Sequence, residues 1–121
     1  MKKALVVDDS AFIRKIAKQI LDNIGFEVAE ARDGAHALEQ CEIALPELIL
    51  LDWNMPVMSG LEFLHKLRKM PQGDQPKVVF CTTENTRDKI ITALEAGATE
   101  YIMKPFDQEI IRTKLEQIGM V

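Results

Sequence analysis

Residues able to handle phosphate or a metal ion sit at the ends of apolar runs in this chain. Asp8 and Asp9 follow Ala4-Leu5-Val6-Val7, and Asp52 ends Leu48-Ile49-Leu50-Leu51. Thr82 follows Val78-Val79-Phe80-Cys81, and Lys104 follows Tyr101-Ile102-Met103. Carboxylates gathered in one place repel one another and raise each other's pKa unless a cation joins them. Oxygen-only donors in a small site suit Mg²⁺, which keeps several waters and takes few protein oxygens. With the negative charge offset, Asp52 can act as a nucleophile towards a phosphoryl group, giving an aspartyl phosphate. Lys104 would hold one phosphoryl oxygen and Thr82 would donate a hydrogen bond to another. Positioning and charge neutralisation supply most of the catalysis in phosphoryl transfer.

Taken singly, each of these residues has an ordinary structural use. An Asp pair after a strand is often a turn, a Thr a cap, and a Lys before Pro a solvated charge. Asp52 is the exception, because the next helix has its own cap: Ser59-Gly60-Leu61-Glu62 fits the capping box. The functional reading rests on all of these residues sharing one rim.

The elements that must bring them together follow from the hydrophobic pattern. Leu48 to Leu51 is an unbroken aliphatic run closed by Asp52 and a loop with Pro56 and Gly60, which reads as a strand buried on both faces. Strands are also expected at Ala4–Val7, Phe26–Glu30, Val78–Cys81 and Tyr101–Met103, the second of them polar enough for a sheet edge. Between them lie helical patterns. Ser10 caps a helix with Phe12, Ile13, Ile16, Ile20 and Leu21 inward, ended by Gly25. Asp33-Gly34 opens one carrying Ala35, Leu38, Cys41 and Ile43 or Ala44. Leu61, Phe63, Leu64 and Leu67 mark a third, and Met70 to Pro76 reads as a surface loop. Asn85 or Thr86 caps a fourth with Ile90, Ile91 and Leu94, closed by Gly97. Asp107 caps the last, with Ile110, Ile111, Leu115 and Ile118 inward.

Strands alternating with helices predict an α/β fold: a doubly wound, five-stranded parallel sheet with five helices over both faces. In such sheets, functional groups gather at the carboxyl ends of the strands. Phe12, Phe26, Phe63 and Phe80 are expected in the core, Trp53 half exposed, and His36 and His65 at the surface.

A length of 121 residues predicts one domain spanning 1–121. The net charge of −4 and pI near 5.2 argue against nucleic acid or an anionic membrane as partner. No apolar run reaches a membrane span, and the N-terminus does not read as a signal peptide. Cys41 and Cys81 have no metal or redox spacing and read as buried thiols of a reducing cytoplasm.

Val7-Asp8-Asp9-Ser10, Leu51-Asp52-Trp53-Asn54-Met55-Pro56 with Gly60, Thr82-Thr83-Glu84 and Lys104-Pro105-Phe106 occur together in this order. With them the whole chain resembles the receiver domain of bacterial two-component response regulators, most closely the free-standing, CheY-like type. The resemblance implies the strand order 2-1-3-4-5. It implies that Asp52 accepts a phosphoryl group from a sensor histidine kinase or histidine phosphotransferase. It further implies that Asp9 and Asp52 bind Mg²⁺ through their side chains, Asn54 through its carbonyl and Asp8 mainly through water. Thr82 would move towards the phosphoryl group, Lys104 would pair with it, and Tyr101 would turn inward as the switch. The Lys104–Pro105 bond would be cis. The fourth helix, fifth strand and fifth helix would form the readout surface, with Ile90, Tyr101 and Lys114 as partner contacts. Core packing for Ile90 and a solvated charge for Lys114 compete with that reading.

The implied function is a monomeric, cytoplasmic phosphoacceptor without an output domain, catalysing only its own phosphorylation and dephosphorylation and acting on a protein target such as the flagellar motor switch. A phosphorelay intermediate or phosphate sink is the alternative. Two positions depart from the commonest pattern: Ser59 replaces an Asp, and Thr83 replaces a smaller residue where it could narrow access to the phosphoryl group. Glu84 and Asn54 flank the site. A haloacid-dehalogenase-type phosphohydrolase would need an acid two residues after the nucleophile, where Asn54 stands and cannot protonate a leaving group. A flavin or nucleotide binder would need a phosphate-cradling loop after the first strand, and none is present.

Overall fold

The computed structural model describes residues 2–83 and 87–121. Among them are β1 (Lys3–Val7), α1 (Ala11–Ile24), β2 (Glu27–Ala31), α2 (Gly34–Ile43), β3 (Leu48–Asp52), α3 (Gly60–Arg68), β4 (Lys77–Thr82), α4 (Arg87–Glu95), β5 (Glu100–Met103) and α5 (Gln108–Gln117). The strands pair in parallel in the order β2-β1-β3-β4-β5. The expected cap at Asn85 or Thr86, and Glu84 beside the site, lie outside the described residues.

Alternation along the central strands divides the core in two. Ala4, Val6, Leu48, Leu50, Val79 and Cys81 face α1 and α5, whose Ala17, Ile20, Leu21, Ile111 and Leu115 cover them. Leu5, Val7, Ile49, Leu51, Val78 and Phe80 face α2, α3 and α4 through Ala37, Cys41, Phe63, Leu64, Leu67 and Ala93. Every residue of β3 is buried, and each aliphatic side chain so covered is worth about 1.5–3 kcal/mol of burial. That makes β3 the best-anchored strand, and Asp52 is its last residue. β2 leaves Glu27, Ala29 and Glu30 exposed, as an edge strand does.

Local chemistry sets the helix starts. Side chains of Ser10, Asp33, Ser59 and Asp107 accept from the N–H groups of Ile13, His36, Glu62 and Ile110. Gly25, at φ 117°, ends α1 in the left-handed region. Gly60 is needed for space instead: a Cβ there would run into the Asp52 carbonyl oxygen, so α3 starts directly against the end of β3.

Several inward assignments are corrected. Phe12 is 70% exposed, not core. It lies in the first turn of α1, turned away from the face that Ala17, Ile20 and Leu21 bury. Ile43, the last residue of α2, is 86% exposed, because Gly34, Ala37 and Cys41 carry the buried stripe of that helix and Ile43 falls off it. Ile91, Leu94 and Ile110 are also exposed, because Ala93 and Ile111 take the inward positions of α4 and α5. The Met70–Pro76 segment is more than a surface loop, since Gly73 and Pro76 are buried. The Arg68 guanidinium organises it, donating to the carbonyls of Gly73, Pro76 and Gly97.

Between β3 and α3, Val57 has φ 69°, and Met58 N–H donates to the Pro56 carbonyl at 2.7 Å across it. This is a three-residue turn with a β-branched residue held in the left-handed region, where its Cβ clashes with the backbone. Its side chain is 82% exposed and packs on little that would offset the strain. Val57→Asn is expected to raise stability by about 1 kcal/mol, the scale of such strain. Chemical denaturation of the two proteins checks this, and an unchanged or lower midpoint contradicts it.

Candidate functional site

The carboxyl ends of β1 and β3 are neighbours in the sheet, with Val7 paired to Leu51. Asp8 and Asp52 therefore emerge side by side, and both are buried. Asp9 is exposed beside them, and one carboxylate oxygen from each of Asp8, Asp9 and Asp52 lies within 4.8 Å of the others. Lys104 arrives from the end of β5. Its Nζ donates to Asp8 Oδ2 at 2.8 Å and to Asp52 Oδ1 at 3.0 Å.

The carboxylates are oriented by the backbone. Asp8 Oδ1 accepts from the N–H of Ser10, and Asp52 Oδ1 from the N–H of Trp53, both at 2.9 Å. Arg14 Nη1 donates to the Asp8 carbonyl at 2.7 Å while its Nε pairs with Glu30 at 3.1 Å, tying α1 to both strand ends.

Burial pushes the Asp52 carboxyl above its ordinary 3.8; the Lys104 hydrogen bond pulls it back, and the charges of Asp8 and Asp9 add to the rise. Burial acts against the Lys104 ammonium, but its hydrogen bonds to Asp8 and Asp52 and their charges outweigh that and hold its pKa above 10.5. One ammonium facing three carboxylates leaves a net negative site. A hard, oxygen-only donor set of this size fits a small divalent cation such as Mg²⁺. Cys81 lies in the same region, paired in register with Asp52, but burial pushes its thiol up to about 12 and makes it inert as a nucleophile.

Asp8, Asp9, Asp52 and Lys104 are thus brought together as the sequence led one to expect. Thr82 is buried at the end of β4, one register step past Asp52, and its carbonyl accepts from the Lys104 N–H at 2.8 Å. Asn54 is exposed on the loop two residues past Asp52, and Thr83 is exposed next to Thr82. The Lys104–Pro105 peptide is cis. Ile90 on α4, Tyr101 on β5 and Lys114 on α5 are half-buried, and the Lys114 ammonium lies 5.7 Å from the centre of the Tyr101 ring.

Arg14 and Lys89 did not stand out in the sequence. In the sequence Arg14 falls among the charges opposite the apolar positions of α1, although its place one turn after Ser10 lets it reach back to the strand end. The Lys89 ammonium lies 5.8 Å from the centre of the Trp53 ring, and that ring packs at a tilt of 46° against Phe80, with centres 4.9 Å apart. Only the packing of α4 over β3 reveals this contact.

The chain belongs to the response regulator receiver domain family, whose model matches residues 4–116. It is 40% identical over 118 residues to the chemotaxis protein CheY1 of Helicobacter pylori, covering 96% of this chain and 95% of that protein. The chemotaxis protein CheY of Pseudomonas aeruginosa is 38% identical over 117 residues, with 96% and 94% covered. Among solved structures, that of Vibrio cholerae chemotaxis protein CheY4 matches with a TM-score of 0.93 at 36% identity over 98% of both chains. The fold and family place the chain in two-component signalling. Among the described residues, no helix is long and apolar enough to cross a membrane.

A pH dependence follows from the burial of Asp52. Its raised pKa means that the folded, metal-free protein holds this proton more tightly than the unfolded chain. The stabilisation is present at acid pH and is lost as the pH rises from the ordinary 3.8 through the raised folded value. In chelator, Asp52→Asn should therefore gain stability over wild type as the pH rises through that window. Thermal melts of both proteins across pH 4 to 7 check this; a constant or shrinking difference contradicts it.

Proposed function

We propose that Asp52 is the phosphoacceptor of a receiver that is switched by phosphorylation and read by a partner protein. One observation carries this: a buried carboxylate, with two more beside it, lies 3.0 Å from a lysine ammonium at the rim of a parallel sheet. An Asp52 oxygen attacks the phosphorus of a phosphohistidine on a kinase or histidine phosphotransferase. The P–O bond forms as the P–N bond breaks, and the imidazole leaves with the bonding pair and takes up a proton. Asp9, Asp52 and the Asn54 carbonyl would hold Mg²⁺, with Asp8 acting through water, and the ion would supply charge neutralisation and orientation. Lys104 exchanges its bond to Asp52 for one to a phosphoryl oxygen. Thr82 donates to another, and its movement frees space for Tyr101 to turn inward.

The added charge favours one of two pre-existing arrangements. The readout surface is that of α4, β5 and α5, with Ile90, Tyr101 and Lys114 as contacts. The similar proteins are named for chemotaxis, which supports a motility target such as the flagellar motor switch over a phosphate sink. The chain acts as the signalling unit and has no substrate beyond its own acceptor.

Transfer from a phosphorylated histidine phosphotransferase tests the residue roles. Wild type should take up label in Mg²⁺, Asp52→Asn none, and Lys104→Ala should be labelled yet fail to bind the partner on phosphorylation. Label on Asp52→Asn, or full switching in Lys104→Ala, contradicts these assignments.

A further inference from the structure

At the outer edge of the sheet, β5 begins with Glu100 and Tyr101. One Glu100 oxygen, Oε1, accepts from the Tyr101 N–H at 3.0 Å. The other, Oε2, lies 3.6 Å from Lys114 Nζ on α5. The same ammonium lies 5.7 Å from the centre of the Tyr101 ring. Glu100, Lys114 and the Tyr101 ring therefore form a closed set, fixed at one end by the backbone of Tyr101 itself.

We propose that Glu100 and Lys114 form a latch that holds the Tyr101 ring in its phosphoryl-free position; this rests on the receiver reading of Asp52 and Tyr101 given above. The Glu100 carboxylate is anchored by a backbone N–H that does not move with the ring. It keeps Lys114 in place, so an inward turn of the ring gives up the cation–π contact while the ion pair stays. The loss falls on the ring movement alone. A device that stabilises the phosphoryl-free arrangement must weaken phosphoryl binding at Asp52 by the same factor, because the coupling between two sites is reciprocal. Glu100 and Lys114 are positioning residues in this account and touch no reacting atom.

The latch is partly exposed, with side-chain exposures of 28% and 23%, so its effect is modest. Contacts of this kind correspond to a change of about two- to five-fold in an equilibrium.

The test is titration of the full chain, in Mg²⁺, with the beryllium trifluoride anion, a tetrahedral phosphoryl mimic, followed by the fluorescence of Trp53, the single tryptophan. Glu100→Gln should bind the mimic about two- to five-fold more tightly than wild type, and Lys114→Met should shift it the same way. In a Tyr101→Leu background, Glu100→Gln should change nothing, which a merely structural ion pair would not produce. Mg²⁺ affinity without the mimic should be equal in Glu100→Gln and wild type. Equal mimic affinity of wild type and Glu100→Gln overturns the latch alone, as does a shift that persists without the ring. Failure of wild type to bind the mimic overturns the receiver reading beneath it.

Discussion

Crowding of like charge at one rim is the constraint on which the rest of this structure depends. Three carboxylates offer oxygens within 4.8 Å of one another, and Asp8 and Asp52 are buried. Isolated buried charges of this kind are too costly to keep unless paired. The fold answers with Lys104, which bonds both buried carboxylates at once, and with backbone N–H groups aimed at Asp8 and Asp52. The balance remains negative, so the site is built to gain a cation. On the proposed reading, an anionic phosphoryl group would compete for Lys104, whose ammonium would pass from carboxylate to phosphoryl oxygen at the same rim.

The sheet order makes this arrangement possible. β1 and β3 are adjacent and central, so the carboxylates leave neighbouring strands. Lys104 starts two strands away on β5 and spans the gap with its long side chain, while its own N–H donates to the Thr82 carbonyl at the end of β4. Lys104 thereby links the carboxyl ends of β1, β3, β4 and β5. Asp52 is held by a strand buried throughout, whereas the loop after it carries the strained Val57. Burial therefore anchors Asp52 from beneath, while the strain lies in the loop that follows it. On the far side of β5, the contacts of Glu100, Tyr101 and Lys114 would oppose the rearrangement that the proposed switch requires.

Much of this was legible in the sequence because the signals are local. The caps Ser10, Asp33, Ser59 and Asp107 act within three residues of themselves. The aliphatic runs needed no partner to read as buried strands, and a polar residue at the end of each central run marked the rim. What the sequence could not carry was which way each helix turns its face to the sheet. Phe12 and Ile43 are apolar residues near helix ends, yet both are exposed, because Ala17, Ile20 and Leu21 in α1 and Gly34, Ala37 and Cys41 in α2 carry the buried faces. Arg68 and Lys89 act on residues far along the chain, and nothing beside them in sequence distinguishes them from solvated charges. The resemblance to receivers supplied the strand order and the cis Lys104–Pro105 bond, neither of which residue patterns alone provide.

On the proposed reading, the net negative rim makes Asp52 a cation-dependent phosphoacceptor. Intact mass after incubation with acetyl phosphate, with Mg²⁺ or with chelator, tests it most directly on wild type and Asp52→Asn. One phosphoryl adduct is expected on wild type in Mg²⁺, with none in chelator and none on the variant. An adduct that ignores Mg²⁺ or persists on Asp52→Asn would contradict it, as would a wild type that binds Mg²⁺ and never takes up the group.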